Sequence, residues 1–376
     1  MVEGGIYVHI PFCRNKCLYC DFYTGGVRIA DWEKYRIAIL NELESRINET
    51  VFLPSTLYFG GGTPSIIPNE FLKRIVTGIT TRLGVKDWNE FTIEVNPEDV
   101  NEEKCKVWKE SGVNRVSLGV QTLNDGELKL IGRRHTAQDS IEAISLLRRY
   151  FDNISVDLMF GIPGQTLDTY EKSLDKIIEL KPHHISSYSL MLEPGTAMTL
   201  LVEKEKLLLP NEDVWMKMFQ TTLEKLNNAG FVRYEISNYA LPGYESQHNS
   251  GYWLGKPYLG LGSGAHSYDG DSIRRANPND IKGYVVNFNQ EHNKFYKEEI
   301  LTDEELKEEM IMTRLRMSQG LDLEEFESKF GEWEKIELLN RASSFFNKGL
   351  MKIHQTKLSF TPAGFEVSDL LLSSLI

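Results

Sequence analysis

Cysteine and long apolar runs are both scarce in this chain, and each shortage excludes a class of protein. Only 4 of the 376 residues are cysteine, so a framework of disulfides is not expected and a reducing compartment is favoured. No apolar run approaches the ~20 residues that a membrane-spanning helix needs. Because the first residues lead directly into a predicted strand, we also expect no signal peptide and a cytoplasmic location.

Basic residues are outnumbered as well. The chain has 42 lysines and arginines against 54 aspartates and glutamates, which gives a formal net charge of −12. A general nucleic-acid or anionic-membrane surface is therefore not expected. What the chain does have is 41% hydrophobic residues, enough for a large core, and a length that suggests two or three domains.

Three of the four cysteines stand close together near the N-terminus. Cys13, Cys17 and Cys20 have the spacing C-x-x-x-C-x-x-C and follow an apolar, strand-like run. A loop of this kind can turn three thiolates toward one point. Three thiolates are one short of closing a [4Fe–4S] cluster, so the fourth iron would keep an open coordination position. We therefore expect a cluster with an iron that can bind a further ligand.

Zinc and disulfide bonding are the alternatives for these cysteines. Structural zinc needs four ligands, but the nearest candidate for the fourth is His9 on the preceding strand, and no second C-x-x-C is present. The remaining cysteine, Cys105, lies in a predicted helix and is expected to be a bystander. Neither alternative fits the spacing as well as the cluster does.

Strands and helices alternate along the first half of the chain. Period-two apolar runs predict strands at residues 4–12, 56–59, 91–95, 115–120, 154–160 and 184–190, and helical spacing predicts helices at 31–49, 71–83, 102–110, 137–150 and 167–180. Such alternation implies parallel pairing. Six units are too few for a closed eight-fold barrel, so the sequence predicts an α/β fold with an open (β/α)6 partial TIM barrel. Its functional residues should lie at the carboxyl ends of strands, as do Cys13, Gly61, Glu94, Gln121 and Asp157.

The second half of the chain loses this alternation. We expect a helix at 211–228, a short strand at 233–237, an irregular stretch at 238–271 and a helix at 281–290. Helices at 302–318, 322–330 and 334–347 then precede a hairpin at 350–354 and 357–360, which is the order of a winged-helix module. Acidic helices argue against DNA binding, so a mainly helical packing or lid module is favoured. The predicted domains are a barrel core at 1–195, a barrel extension that faces the substrate at 196–300, and the winged-helix-like module at 301–376.

Two motifs together resemble those of a known superfamily. The cysteine spacing, followed by Tyr58-Phe59-Gly60-Gly61-Gly62-Thr63-Pro64, is similar to the radical S-adenosylmethionine (SAM) superfamily. The stretch His9-Ile10-Pro11-Phe12-Cys13 resembles the group that holds oxygen-independent coproporphyrinogen III oxidase and the haem chaperone HemW. The resemblance implies a [4Fe–4S] cluster whose open iron binds SAM and whose electron cleaves it to a 5′-deoxyadenosyl radical.

The resemblance also assigns SAM contacts, all carried over by position. They are Tyr7, Tyr19, Gly61, Gly62, Thr63, Glu94, Gln121, Arg133 and Asp157. The glycine run can alternatively be a tight turn. Glu94 and Asp157 lie inside apolar strands, where a carboxylate needs a partner, and a salt bridge to Arg115 or Arg133 is the alternative to a cationic ligand.

A second stretch bears on the choice within the group. His248-Asn249-Ser250-Gly251-Tyr252-Trp253 fits the H-N-x-x-Y-W pattern of HemW-like proteins. Imidazole is a common axial ligand of haem iron, so the haem candidates are His248, Asn249, Tyr252 and Trp253, with His266 as a less certain neighbour. The alternative is a loop that its aromatic residues anchor to the barrel.

Two departures favour the haem chaperone over the oxidase. The oxidase has the pattern C-x-x-x-C-x-x-C-x-C, but here Phe22 stands where the last cysteine would be. The oxidase also has a substantial segment before this pattern, whereas only twelve residues precede Cys13. The resemblance then implies haem or a related tetrapyrrole as ligand, a haem-acceptor protein as partner and an electron donor such as flavodoxin. Two alternatives stay open: decarboxylation of two propionates of coproporphyrinogen III, and a radical SAM reaction on another substrate.

Overall fold

The computed structural model describes residues 2–27, 31–291 and 294–376. Its strands are β1 (Glu3–Ile10), β2 (Phe12–Cys13), β3 (Gly25–Gly26), β4 (Leu53–Gly61), β5 (Glu90–Val95), β6 (Arg115–Gln121), β7 (Ile154–Phe160), β8 (His184–Ser189), β9 (Val232–Arg233), β10 (Asn238–Ala240), β11 (Tyr258–Leu261), β12 (His266–Tyr268), β13 (Ile273–Ala276), β14 (Lys297–Ile300), β15 (Leu321–Asp322), β16 (Met351–His354) and β17 (Lys357–Phe360). Its α-helices are α1 (Trp32–Arg46), α2 (Asn69–Leu83), α3 (Glu102–Glu110), α4 (Asp125–Leu130), α5 (Ala137–Leu147), α6 (Leu167–Glu179), α7 (Ala197–Glu203), α8 (Glu212–Asn228), α9 (Gln247–Trp253), α10 (Ile281–Val286), α11 (Asp303–Leu315), α12 (Leu323–Phe330), α13 (Glu332–Asn347), α14 (Pro362–Glu366) and α15 (Ser368–Leu375).

The six predicted parallel strands form the centre of one large sheet. Strands β1, β4, β5, β6, β7 and β8 lie side by side in chain order, and every neighbouring pair is parallel. Strands covered on both faces are apolar along their length, and all seven residues of β6 are buried. The open α/β barrel core predicted from the sequence is therefore confirmed.

The sheet extends beyond these six strands at both edges. Strand β11 pairs in parallel with β1, and β12, β13 and β14 continue the sheet antiparallel. At the other edge, β10 and β9 add antiparallel to β8. The expectation of an irregular stretch at 238–271 was wrong, because this segment contains β10, α9, β11 and β12. These elements are too short for their periodicity to be recognised.

Two smaller expectations in this region were right only in part. Of the strand predicted at 233–237, only Arg233 lies in a strand, at the end of β9, and a turn leads from there to β10. The helix predicted at 281–290 is α-helical to Val286 and π-helical from Asn287. The helix predicted from residue 31 begins at Trp32, because the Asp31 side chain caps it by accepting a hydrogen bond from the Lys34 N–H at 3.1 Å. Helices α4, α7, α14 and α15 were not predicted.

The C-terminal part has its own buried apolar cluster. Helices α11, α12 and α13 precede an antiparallel hairpin of β16 and β17, as predicted, and β15 adds a third strand to it. The cluster runs from Met310 to Leu375 and includes the unpredicted α15. The domain limits at residues 195 and 300 stay predictions. Within the described ranges, every helix is too short or too polar to cross a bilayer.

Candidate functional site

The three clustered cysteines lie in one cavity at the carboxyl ends of the parallel strands. Cys13 is the last residue of β2, a short strand that follows β1 and pairs with β3. Cys17 and Cys20 lie in the loop after it. All three are half-buried. We call this space of about 470 Å³ the cysteine cavity; its walls include Tyr19, Gly61, Gly62, Thr63, Glu94, Gln121, Arg133 and Asp157. Every SAM candidate except Tyr7 therefore faces the same space as the cysteines.

Polar groups contact the cysteine sulfurs. The Thr63 hydroxyl donates to Cys13 Sγ at 3.3 Å, and Arg133 Nη1 donates to Cys17 Sγ at 3.7 Å. Burial raises the pKa of the Cys13 and Cys20 thiols, so both would be neutral without a bound cation. A metal centre that holds the thiolate form is the natural partner for this donor set.

The geometry of the cysteine loop gives no support to a single zinc ion. No group of three or more cysteine, histidine or acidic side chains in the described ranges surrounds one ion position. His9, the fourth zinc ligand considered above, has Nδ1 paired with the Tyr7 hydroxyl at 3.0 Å. In an iron–sulfur cluster each thiolate binds a different iron, so the sulfurs stand farther apart. All four cysteines are free thiols, which gives no support to a disulfide.

The glycine run after β4 brings the backbone close to the cysteine loop. Gly61 has a φ of +110°, which favours glycine, and its N–H donates to Glu94 at 3.2 Å. A methyl group on Gly62 would lie 2.8 Å from the Phe12 carbonyl oxygen and 3.0 Å from Cys13 Sγ. The turn therefore leaves no room for a side chain where the chain passes the first cysteine.

Two carboxylates face the cysteine cavity from neighbouring strands. Glu94 accepts a hydrogen bond from the Tyr58 hydroxyl at 2.8 Å, and burial raises the pKa of Glu94 to about 7. Asp157 accepts from the Ser117 hydroxyl at 3.3 Å, and burial raises the pKa of Asp157. Burial outweighs the attraction of Arg115 for both groups. A cationic ligand would therefore be a better partner for them than this arginine.

The unpaired side-chain oxygen of Gln121 is the clearest indication that the cysteine cavity binds a ligand. A bulge separates Gly119 from Gln121 at the end of β6, and Gln121 has a φ of +69°. Its Oε1 is buried with no hydrogen-bond donor among the described residues, although it lines the cysteine cavity. Buried acceptors are normally satisfied, so a bound hydroxyl or amine fits here.

Arg133, and not its neighbour Arg134, faces the cavity. Arg133 Nη2 donates to the Gly119 carbonyl at 2.6 Å and to Asn96 Oδ1 at 2.8 Å, whereas Arg134 is exposed. The motifs in the sequence did not indicate Asn96, Ser117 or Tyr188, which also line this cavity. A period-two count along β6 and β8 would have placed Ser117 and Tyr188 beside Asp157, which both contact.

Tyr7 faces a second space, on the other side of the cysteine loop. We call this space of about 600 Å³ the aromatic cavity; its walls include Tyr7, His9, Asp21, Phe22, Tyr23, Tyr252, Trp253, Lys256, Tyr258, His266, Tyr268, Arg274 and Glu309. Asp21 and Phe22 line both cavities. The prediction that Tyr7 contacts SAM stays a prediction.

His248 is enclosed in the protein. Its Nδ1 pairs with the Thr56 hydroxyl and its Nε2 with the Tyr252 hydroxyl, both at 2.8 Å. It is 4% exposed, and burial lowers its pKa to about 3. With both ring nitrogens in hydrogen bonds, the geometry favours the anchoring alternative over iron ligation. Of the other haem candidates, Tyr252 and Trp253 line the aromatic cavity, and Asn249 lies in the first turn of α9, where its N–H donates to the Ser246 hydroxyl.

Comparisons with known proteins cover nearly the whole chain. The profile of the radical SAM superfamily matches residues 7–177, and that of the HemN C-terminal domain matches residues 301–367. A protein named heme chaperone HemW from Lactococcus lactis subsp. lactis is 36% identical over 365 residues, which cover 96% of this chain and 94% of the relative. Its counterpart of the same name from Bacillus subtilis is 39% identical, with 86% of each chain covered. Among solved structures, the coproporphyrinogen III oxidase HemN of Escherichia coli matches with a TM-score of 0.84 and 22% identity, over 100% of this chain and 90% of that one.

Proposed function

Because the chain belongs to the radical SAM superfamily and, within it, to the HemW family, we propose that it binds haem and transfers it to acceptor proteins. The observation that carries this proposal is the extent of the similarity. The match to the Lactococcus protein covers 96% of the chain, so it includes the aromatic cavity and the C-terminal module as well as the cysteine loop. A resident [4Fe–4S] cluster and SAM are implied by the superfamily.

The cysteine cavity supplies the residues to hold these two groups. Cys13, Cys17 and Cys20 would bind three irons of the cluster, and the glycine turn with Gln121 would contact SAM at the fourth. When bound, the two groups together supply one-electron chemistry at the sulfonium of SAM. Whether that chemistry is used while haem is carried is a separate matter from haem binding.

The surrounding side chains have roles that follow from their contacts. Thr63 and Arg133 would stabilise the thiolates by donating to the sulfurs. Glu94 and Asp157 would oppose the positive charge of the sulfonium ligand, which lowers the cost of ionising two buried carboxylates. The unpartnered Gln121 Oε1 would accept a hydrogen bond from the bound ligand. Tyr19, which lines the cavity between two cysteines, would pack against the adenine ring.

Two protein partners follow from the proposed role. A haem-acceptor protein would receive the cargo, and an electron donor such as flavodoxin would reduce the cluster. The donor would approach the loop of Cys13, Cys17 and Cys20, whose side chains are only half-buried. We place the protein in the cytoplasm, where a reducing environment would protect four free thiols and a cluster.

Oxidative decarboxylation of coproporphyrinogen III is the second candidate function. It is favoured by the fold, which matches that of the E. coli oxidase at a TM-score of 0.84. Such a substrate carries several carboxylates and needs free cations beside the cluster. Of the two basic side chains that line the described part of the cysteine cavity, Arg133 is held by Asn96 and the Gly119 carbonyl, which leaves only Lys16, at the exposed loop, for several carboxylates. This observation favours the haem chaperone.

One experiment separates the candidates. The full-length protein is reconstituted with iron and sulfide without oxygen and then incubated separately with hemin and, with SAM and reductant, with coproporphyrinogen III. We expect stoichiometric haem binding, transfer of haem to an apo-haemoprotein and no protoporphyrinogen. Formation of protoporphyrinogen would replace the proposal with the oxidase. SAM cleavage without either haem binding or porphyrin turnover would replace it with another radical SAM enzyme.

Two single cysteine variants test the cluster ligands, and one serves as the control for the other. Cys13→Ala should abolish the visible absorbance of the cluster and lower the bound iron, because one of three ligands is lost. Cys105→Ala removes a buried thiol of α3 that lies outside the cysteine cavity, so the cluster should be retained with a modest loss of stability, about 1 kcal/mol. Equal iron content in the two variants would show that Cys13 is not a ligand.

A further inference from the structure

The aromatic cavity is bounded by one face of the sheet extension. His266 and Tyr268 alternate on β12 and therefore point to the same side, while Ser267 between them is buried and points away. In the antiparallel register, Tyr268 lies opposite Tyr258 on β11 and opposite Arg274 on β13. Cross-strand partners share a face, so these four residues form a continuous floor with one imidazole in it.

The opposite walls are also rich in aromatic rings. They come from the cysteine loop through Phe22 and Tyr23, and from the end of α9 through Tyr252 and Trp253. The volume of about 600 Å³ falls inside the range of roughly 300–1,000 Å³ that small-molecule ligands occupy. A flat, mostly apolar ring system would replace water against these faces, since aromatic rings favour stacked or edge contacts.

Of the three histidines near this cavity, His266 alone has an available ring. His9 is 5% exposed with Nδ1 on Tyr7, and His248 has both nitrogens in hydrogen bonds. His266 is exposed and lines the cavity, and no described residue hydrogen-bonds to its ring. Burial and Arg274 lower the pKa of His266, so its imidazole is neutral, with a free lone pair, at neutral pH.

Two cations that line the cavity suit the acidic edge of a porphyrin. Lys256 pairs with Glu3 at 3.3 Å, with 38% and 48% of the two side chains exposed. Arg274 pairs with Glu309 and stacks over the Tyr268 ring. Exposed pairs are worth about 1 kcal/mol or less, so Lys256 can exchange Glu3 for a propionate at small cost, while Arg274 lies in a less exposed pair beside the same space.

We propose that the aromatic cavity is the haem site of this protein and that His266 is an axial ligand of the haem iron. This inference rests on the proposed function, because it names where the cargo lies. It reassigns the ligand from His248, which anchors Tyr252 in the wall, to a histidine in the floor. Since Phe22 and Asp21 line both cavities, the porphyrin would lie directly across the cysteine loop from the cluster.

Hemin titration of the full-length protein and three histidine variants tests this assignment. His266→Ala should lose the absorption and EPR features of histidine-ligated haem, and the affinity should fall by at least about tenfold. Added imidazole should restore the ligated spectrum of His266→Ala by entering the space left by the side chain. His354→Ala, on the exposed end of the C-terminal hairpin, is the matched control and should behave as wild type.

A second variant probes the cavity without removing the ligand. Thr313 on α11 lines the aromatic cavity, so Thr313→Phe should weaken hemin binding while the bound fraction keeps the wild-type spectrum. Circular dichroism and cluster iron content would show that each variant is folded. Wild-type spectra and affinity for His266→Ala, with loss of ligation in His248→Ala, would overturn the assignment. Failure of the wild-type protein itself to bind hemin would instead refute the proposed function.

Discussion

Glu94 shows how a single residue can couple the site to pH. Because burial raises the pKa of Glu94 from the ordinary value of 4.5 to about 7, the folded protein binds this proton more tightly than the unfolded chain does. The stability that protonation gives is fully present below about pH 4.5 and is lost as the pH rises toward 7. The change is up to about 3 kcal/mol, at 1.36 kcal/mol for each pKa unit.

Glu94→Gln should remove this dependence. In the absence of SAM, we expect the melting temperature of the variant to exceed that of wild type at pH 8 and to approach it at pH 5, because the amide is never ionised. Saturating SAM should reverse the order at pH 8, since the carboxylate then gains a cationic partner. Glu70→Gln, an exposed change on α2, is the control. A difference in melting temperature that stays constant between pH 5 and pH 8 would contradict the shifted pKa.

At the scale of secondary-structure elements, a carboxylate on strand β5 binds the N-terminus of helix α9. Glu90 on β5 accepts hydrogen bonds from the N–H groups of Gln247 at 2.7 Å and His248 at 3.2 Å, and from the Ser246 hydroxyl at 3.2 Å. Glu90 is 2% exposed and attracts the buried Arg115. An anion at a helix N-terminus is stabilising, so Glu90, 156 positions before Ser246, adds to the cap that the Ser246 side chain gives this seven-residue helix.

Glu90→Gln should therefore loosen the wall of the aromatic cavity. We expect a loss of about 2–3 kcal/mol in unfolding free energy, as for hydrogen bonds to buried charged groups, and faster hydrogen exchange at residues 246–253. Hemin binding should weaken because Tyr252 and Trp253 end this helix. Glu179→Gln, on the exposed end of α6, should change neither exchange nor binding. Unaltered protection of residues 246–253 in Glu90→Gln would rule out the capping role.

Whether an element depends on local or on distant residues explains which elements could be predicted from the sequence. The six parallel strands and their helices have local signals, because apolar periodicity and caps such as Asp31 lie within each segment. For α9 and for β11 to β13 the determinants are distant: a carboxylate on β5 caps the helix, and β1 supplies the pairing edge for β11. The cysteine cavity was predictable from motif positions. Of the aromatic cavity, the sequence indicated Tyr252, Trp253 and His266, but not the rest of the floor, which comes from this distant extension.

For the molecule as a whole, one buried network fixes the extension to the first helix. Glu42 on α1 is fully buried and accepts hydrogen bonds from the Gly262 N–H at 2.8 Å, the Tyr284 hydroxyl at 2.6 Å and Asn277 Nδ2 at 2.7 Å. Its partner Arg46, at 2.9 Å, also donates to the Gly260 carbonyl and the Ser267 hydroxyl. The floor of the aromatic cavity is thus tied to the helix that follows the cysteine loop.

This connection predicts that both cavities fail together when it is broken. Glu42→Gln removes one of the two carboxylates that pair with the buried Arg46 and leaves Glu49 at 3.0 Å, so we expect a loss of about 2–3 kcal/mol in unfolding free energy, as for hydrogen bonds to charged groups. Hydrogen exchange should accelerate at both 32–46 and 258–276, and cluster content and hemin affinity should fall in parallel. Glu44→Gln, at an exposed site on the same helix, should leave all four readouts at wild-type values. Loss of hemin binding with full protection of α1 would mean that the extension moves independently of the cysteine loop, and the network would then be local packing rather than the link between the two sites.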